Sequence, residues 1–554
     1  LLLKSQDAPK DRLTRIMDKL FGGFFRLFNR GFKKSSNAYS TSIAGLLSHK
    51  TTSFAVYLVL IGVTAIGFSG LPKGFVPPQD KQYLISFAQL PDGASLARTE
   101  AVIREMGSIA MAEEGVANAV QFPGLSVNGF TNSASAGIVF VTLENFDQRN
   151  SPELSATAIA ERLQMQYAGI EEAFIAIFPP PPVMGLGTTG GFKLQIEDRA
   201  NLGYEQLAAV VDNVQQAAWQ DPALVNVYSN YKINVPQLYA DLDRTKAKQL
   251  GLDIKEIFDT MQVYLGSLYV NDFNRFGSTY QVIAQADAEY RTNPENALNL
   301  KVKNDRGEMV PLGSVLEMKE SYGPESAIRY NGYLAADMNG DAAPGYSSGQ
   351  AQDAISKILD RVLPLGMTFE WTDLTYQQVL SGNTAIFIFH LCLLLVFLVL
   401  AAQYESLVLP LVVISIVPLS VLSAVAGLWL TGGDNNIFTQ ISLFVLAGLA
   451  SKNAILIVEF ARELEHKGMD TWHAAVTSSR MRLRPIPMTS FAFIMGVVPM
   501  VLSTGAGSEM RSDIGVAVFS GMLGVTFFGL FFTPIFYVLF RKLSRTSKVH
   551  VPAE

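Results

Sequence analysis

At 554 residues the chain is long enough for about three or four soluble domains, yet its composition, 49% apolar and 17% charged, is divided unevenly along its length. A formal net charge of −6 gives a nucleic-acid partner no global electrostatic support. The single cysteine, Cys392, lies inside an apolar run and reads as a small buried hydrophobe, which excludes a disulfide framework; five scattered histidines form no metal-ligand spacing, and no cofactor is expected.

In chain order, Leu1-Leu2-Leu3-Lys4 reads as the cytoplasmic end of an apolar helix whose body is absent. The aromatic and basic run from Leu20 to Lys34 predicts an interfacial helix on an inner leaflet, with packing on another domain as its plainer reading. Six apolar stretches match the roughly 20 residues that cross a bilayer: 54–71, 384–402, 407–430, 437–461, 485–503 and 514–540. The first is not a signal peptide, because a long segment precedes it and no small-residue cleavage site follows. Lys and Arg crowd into the amino-terminal segment, the 462–484 loop and the tail, whereas the short loops 431–436 and 504–513 hold only Arg511. Both termini are therefore expected in the cytoplasm, with the 72–383 loop outside.

That loop is patterned, not a linker. A strand at 82–89, a helix at 95–113, strands at 116–122 and 136–143, a helix at 154–168 and a strand at 173–178 give β-α-β-β-α-β, a ferredoxin-like unit. A second unit starts at 191–198, continues through 204–220 and 225–231, and resumes at 326–338, 347–362 and 367–372. Residues 233–324 are then an insertion, with a helix at 254–265 and a hairpin around Asn271-Asp272-Phe273. The fold class expected is an α-helical polytopic membrane protein of six transmembrane helices with a large α+β loop of ferredoxin-like subdomains.

Lys452 is the most informative residue, deep in the span Gly448-Leu449-Ala450-Ser451-Lys452-Asn453. An ammonium at that depth costs at least about 2.5–3.5 kcal/mol on insertion scales, so it needs a carboxylate, a polar cluster or a file of water. Snorkelling is the bland alternative, but the helix end is too far for easy reach. Asn453 and Thr489 are candidate hydrogen-bond partners, and Arg482 stands at the mouth of the fifth span, where positive-inside anchoring explains it equally well. The six stretches contain no Asp, and Glu459 is their only carboxylate, so the titrating partner is expected from another polypeptide.

Gly185-Leu-Gly187-Thr-Thr-Gly190 matches a dinucleotide fingerprint, but a strand follows it, which argues against that use. Pro179 to Pro182 form a stiff loop. Phe122, Phe130, Phe140 and Phe178 sit in or beside irregular segments; each alone is ordinary core, whereas Phe122 and Phe130 bracket a Gly/Ser/Asn-rich loop suited to a greasy binding path. No nucleophile–base–orienter set is visible, so an enzyme is not expected.

Gly448 to Phe460, Arg482-Leu-Arg-Pro-Ile-Pro-Met-Thr-Ser490, Ser503-Thr-Gly-Ala-Gly507, Gln403-Tyr-Glu-Ser406, Tyr269-Val-Asn-Asp-Phe273 and Ala343-Pro-Gly-Tyr-Ser-Ser-Gly349 resemble the carboxy-terminal half of RND multidrug efflux pumps, over residues 1–545. The resemblance implies a homotrimer in a bacterial inner membrane that exchanges protons for amphiphilic small molecules. It also implies a periplasmic adaptor (membrane fusion) protein, an outer-membrane channel, and a missing amino-terminal half bearing two acidic relay residues. By motif match Lys452, Asn453, Thr489 and Arg482 fall on relay positions, Phe130 lies in a switch loop, and Phe140 and Phe178 match pocket aromatics. The corresponding division is 1–53 interfacial, 54–71 transmembrane, 72–190 first porter subdomain, 191–232 with 325–380 second porter subdomain, 233–324 docking insertion, 384–540 five transmembrane helices and 541–554 tail. Ser451 and Pro487 depart from the common Ala and Leu. Export of lipids or hydrophobic metabolites, and a non-transporting scaffold, remain open alternatives.

Overall fold

The computed structural model describes residues 12–127, 130–187, 191–382 and 384–543. Leu1 to Lys4, part of the 185–190 glycine run and the tail beyond 543 lie outside these residues, as do the side chains of Phe21, Phe24, Phe25 and Phe28.

The chain opens with a long helix, α1 (Arg12–Ser48), whose later turns bury Tyr39, Ile43 and Leu47 in the helical core. The expected short interfacial helix is thus one part of a longer element that packs on its neighbours. An apolar helix, α2 (Lys50–Ser69), leads to the first α+β unit.

The first outer unit runs β1 (Tyr83–Gln89), α3 (Leu96–Ala112), β2 (Val116–Leu125), β3 (Asn132–Leu143), α4 (Ala156–Tyr167), β4 (Phe174–Phe178). Ser95 and Ser155 start the two helices by accepting the backbone N–H of Arg98 and Ala158. The sheet order is β2-β3-β1-β4, all antiparallel neighbours. Strand alternation sends Leu84, Ala88, Val139, Val141, Ile175 and Ile177 under α3 and α4. Ile85, Phe87, Ile138, Ala176 and Phe178 go to the opposite face, which is also covered.

A second unit holds β5 (Phe192–Asp198), α5 (Tyr204–Trp219) and β6 (Leu224–Tyr228). The chain then leaves through β7 (Val235–Leu242), α6 (Arg244–Gln249), α7 (Ile254–Met261) and the hairpin β8 (Leu268–Arg275) and β9 (Ser278–Ala284). It returns by α8 (Pro294–Leu298), β10 (Lys301–Lys303), β11 (Met309–Pro311) and β12 (Leu316–Gly323), which pairs with β7 along its length. This excursion has its own core, centred on Ala247, Leu252, Ile257, Val302 and Leu312. The helix foreseen at 254–265 stops at Met261 and passes into a π-type turn, Gln262–Gly266. Asn271 to Phe273 lie within β8, and the hairpin turns at Phe276-Gly277, where φ is +53° and +78°.

The second unit closes with β13 (Arg329–Tyr330), β14 (Tyr333–Ala342), α9 (Ser348–Val362), started by a Ser347/Gln350 capping box, and β15 (Met367–Trp371). Its sheet runs β13-β14-β5-β15, with β6 also on β14. Leu194, Ile196 and Met338 lie under α5 and α9. The other face is polar: Asp337, Gln195 and Glu370 share one rung, and Glu197 on the next is fully buried. Burial pushes the Asp337 carboxyl above its ordinary range, opposed by Lys193 and a hydrogen bond from Asn339. A folded state that binds this proton more readily than the unfolded chain is stabilised below about pH 4 and loses that stability as pH rises through the raised value. Thermal stability is therefore expected to fall more steeply as the pH rises above about 4 in the wild type than in Asp337→Asn; equal slopes would contradict this.

After α10 (Asp373–Ser381) the chain re-enters the helical layer with α11 (Thr384–Tyr404), α12 (Leu409–Ile414), α13 (Val417–Thr431), α14 (Ile437–His466), α15 (Thr471–Arg482), α16 (Pro485–Val501) and α17 (Ser508–Leu543). Pro418 follows the break between α12 and α13, where the Ser415 carbonyl accepts the Tyr57 hydroxyl at 2.9 Å. Gly432, at φ +71°, ends α13, and the Asn436 side chain caps α14 by accepting from Phe438 and Thr439 at 3.0 Å each. Gly524 and Gly427 let α13 and α17 touch; a Cβ on either would meet Ser423 or Ser520 at 1.8 or 2.2 Å. Five helices among the described residues are long and apolar enough to cross a membrane, or six if α15 and α16, bent by 45° at Leu483-Arg484, count as one span. The last helix starts at Ser508, earlier than foreseen, so Glu509 and Asp513 sit in its outer turns instead of outside it.

Candidate functional site

Lys452 falls near the middle of α14, a 30-residue apolar helix. The helix buries a seam of small residues, Ala447, Ala450, Ala454 and Ala461, against α12, α13 and α17. On its other side Ile441, Val445, Gly448, Lys452 and Glu459 are exposed, at helical spacing, as one stripe. Among the described residues no carboxylate or hydrogen-bond acceptor meets Lys452. The ammonium therefore stands on an uncovered face of a membrane-length helix.

The other candidates occupy neighbouring positions with different partners. Asn453 is buried and donates to the Ser490 hydroxyl at 3.2 Å, tying α14 to α16. Thr489 donates to the Ile486 carbonyl of its own turn at 3.0 Å, so its hydroxyl is not directed to Lys452 in this state. Arg482 lays its guanidinium over the Phe460 ring, 3.4 Å from the centroid, while its Nε is buried without an acceptor. That cation–π contact links the bend between α15 and α16 to the carboxy-terminal half of α14. Pro485 opens α16 without a backbone donor, which accounts for the bend at this point. Ser490 and Phe460 escaped sequence reasoning: a serine inside an apolar helix usually bonds its own turn, and a lone Phe carries no mark of a cation partner.

The aromatic set is assembled by sheet register. Val120, Phe140, Ile85 and Phe178 form one rung across β2, β3, β1 and β4, and Phe122, Ile138, Phe87 and Ala176 form another on the same face. Phe122 meets Phe140 edge-on at 5.7 Å. Phe87 links Phe178 at 5.8 Å to Tyr228 of the second unit at 5.3 Å. Phe178 is buried at 9% exposure, whereas Phe122 at 41% and Phe130 at 49% remain open. Phe130 also has φ of +53°, a left-handed backbone that costs a non-glycine residue about 1–2 kcal/mol. Phe87 and Tyr228 were not foreseen: Phe87 read as ordinary strand alternation, and Tyr228 joins only because β6 lies across the boundary between the units.

Taken together, membrane-length helices with a buried-face seam and a bare lysine, and two antiparallel sheets joined through an aromatic layer, define a polytopic membrane protein with a large extramembrane α+β region. A sequence profile of the AcrB/AcrD/AcrF family matches residues 1–541, and the chain belongs to that family, in agreement with the RND resemblance of its motifs. It is 37% identical over 521 residues, 93% of its length, to the multidrug/solvent efflux pump membrane transporter MepB of Pseudomonas putida, covering 49% of that protein. It is 37% identical over 526 residues, 94% of its length and 50% of the other's, to the multidrug export protein AcrF of Escherichia coli. Against the multidrug resistance protein MdtF of Escherichia coli the identity is 36% over 524 residues, 94% of this chain and 50% of that one. The chain thus spans about half the length of the curated relatives it matches.

Proposed function

We propose that this chain forms the carboxy-terminal half of a proton-driven exporter of amphiphilic drugs, crossing a bacterial inner membrane six times with its outer units in the periplasm. The bare stripe of α14 carries the proposal. A lysine cannot face lipid at that depth without a cost of about 2.5–3.5 kcal/mol or more, so the stripe is the surface that the complementary half covers. Acidic residues there supply the charge Lys452 lacks. Asn453, Thr489 and Arg482 complete the relay: Asn453 through α16, Thr489 by releasing its own-turn carbonyl, Arg482 at the cytoplasmic bend.

The order β2-β3-β1-β4 with both helices on one face supports a ferredoxin-like first unit, and the interrupted second unit supports the same fold. Counting α15 with α16 as a bent span supports six crossings. These units are the porter subdomains at 72–190 and at 191–232 with 325–380, and the insertion 233–324 docks on an adaptor or outer-membrane channel. Phe122, Phe130, Phe140 and Phe178 line the drug path. In a host without pumps of its own, the chain co-produced with its amino-terminal half should restore resistance to several unrelated drugs. Phe130→Ala should lower export of bulky drugs more than of small ones, because large ligands use most of the contact area that an aromatic offers. Equal loss for all drugs, with lowered protein levels, would place Phe130 in the packing instead.

A further inference from the structure

The stretch from Pro72 to Gln82, between α2 and β1, bridges the helical layer and the first α+β unit. At its membrane end Asn435 donates its backbone N–H to the Pro72 carbonyl at 2.8 Å, and Ile437 to that of Phe75 at 3.0 Å, so it lies along the start of α14. Gly74 is pressed onto the same loop; a Cβ there would stand 1.8 Å from the Asp434 carboxylate. Further along, the Asp80 backbone N–H donates to Glu509 at 3.3 Å and Gln79 to the Met510 sulfur at 3.2 Å, which fastens it to the outer turn of α17.

The outer end is fixed still more firmly. The Asp80 carboxylate receives both terminal nitrogens of Arg149, at 2.9 and 3.2 Å, and the backbone N–H groups of Ala156 and Gln82 at 3.3 and 2.9 Å. The Arg149 side chain is 1% exposed, and it also donates to the carbonyls of Glu144 and Leu154. Phe146 lies beneath its guanidinium at 5.1 Å, with the ring against Gly505 at the start of α17. Lys81 donates to the carbonyls of Pro181 and Pro182, directly after β4. The segment therefore grips the start of β1 and the end of β4, the two strands that carry Ile85, Phe87 and Phe178.

We propose that residues 72–82 act as a rigid strut that carries displacement of α14 and α17 to the aromatic face of the first outer sheet, with Asp80, Arg149 and Glu509 as its positioning residues. The segment is irregular along its length, but hydrogen bonds at one end to the start of α14 and the outer turn of α17, and a buried ion pair at the other, give displacement a continuous path between them. Its purpose rests on the transport reading; the coupling itself is a property of this chain and needs no substrate to be measured.

Amide hydrogen exchange on the full chain in lipid nanodiscs tests it. Arg149→Gln should speed exchange at the Ser508 and Arg511 amides, and Glu509→Gln at the Arg149 and Ala156 amides, each about tenfold, while α3 keeps its protection. Gly74→Ala, at the remote end, should loosen both sets, and Arg149→Lys should give the Arg149→Gln pattern in weaker form. The strut is overturned if Arg149→Gln loosens only residues 144–156. It is equally overturned if every variant opens α3 and β3 together, since the ion pair is then a plain stability element. Drug export left unchanged by these variants in the complemented pump, with the reciprocal exchange pattern present, would count against the transport reading alone.

Discussion

Lys452→Ala should abolish drug resistance, to the level of an empty vector, when the chain is complemented by its amino-terminal half, although the protein should still insert and assemble. The expectation follows from charge. On the proposed relay, the ammonium on the bare stripe of α14 would hold the acidic partners of the complementary half while they are ionised. Protonating those acids removes the attraction, and Lys452 turns away toward Thr489, whose hydroxyl then leaves the Ile486 carbonyl it now holds. Two arrangements of one helix pair, selected by protons, form the switch that coupling requires. Without the cation, the carboxylates keep raised pKa values and stay protonated throughout the cycle. Lys452→Arg retains charge but not the compact ammonium, so only partial activity is expected. Near-normal resistance in a well-expressed Lys452→Ala pump would remove the relay role.

Replacing the tip of the hairpin, residues 270–282, by a short turn should reduce a trimeric assembly to monomers in native mass spectrometry. Both strands, Leu268–Arg275 and Ser278–Ala284, are exposed along their whole length, with Tyr269, Val270, Phe273, Tyr280, Val282 and Ile283 open. Phe273 and Tyr280 stack at 5.5 Å, but a two-stranded ribbon is at best marginally stable alone in water. Such an arm gains its stability by being buried in a neighbour, and a neighbouring copy is what the homotrimer implied by the family resemblance would supply. The insertion's own core, around Ile257 and Leu312, lies elsewhere and should remain folded. Trimers that survive the deletion would show that the arm serves a different partner.

What the sequence revealed depended on whether the signal was local. An ammonium within an apolar run marks Lys452 without any structure, because the bilayer permits few explanations. The alternation of strands and helices from 82 to 178 is readable because Ser95 and Ser155 announce the helices and the strands carry alternate apolar residues. The hairpin turn was misplaced because Asn271-Asp272 carry turn residues, while the actual turn puts a phenylalanine, Phe276, at a positive φ that its side chain does not advertise. The start of α17 was hidden for a related reason. Glu509, Arg511 and Asp513 break the apolar run, yet they sit in outer helical turns where polar contacts such as Asn436 with Asp513 are available. Ser490, Phe460 and Tyr228 are site residues only through partners distant in sequence, so no pattern along the chain could have singled them out.

The claim at the centre of this account is that a proton gradient drives export through a relay containing Lys452. It is tested most directly in proteoliposomes holding this chain together with its amino-terminal half, with an imposed pH gradient and a fluorescent amphiphilic cation as cargo. The account predicts cargo movement that scales with the gradient, stops when a protonophore collapses it, and is absent when this chain is reconstituted alone. Cargo movement that continues after the gradient has collapsed, or gradient-dependent movement by this chain alone, would contradict it.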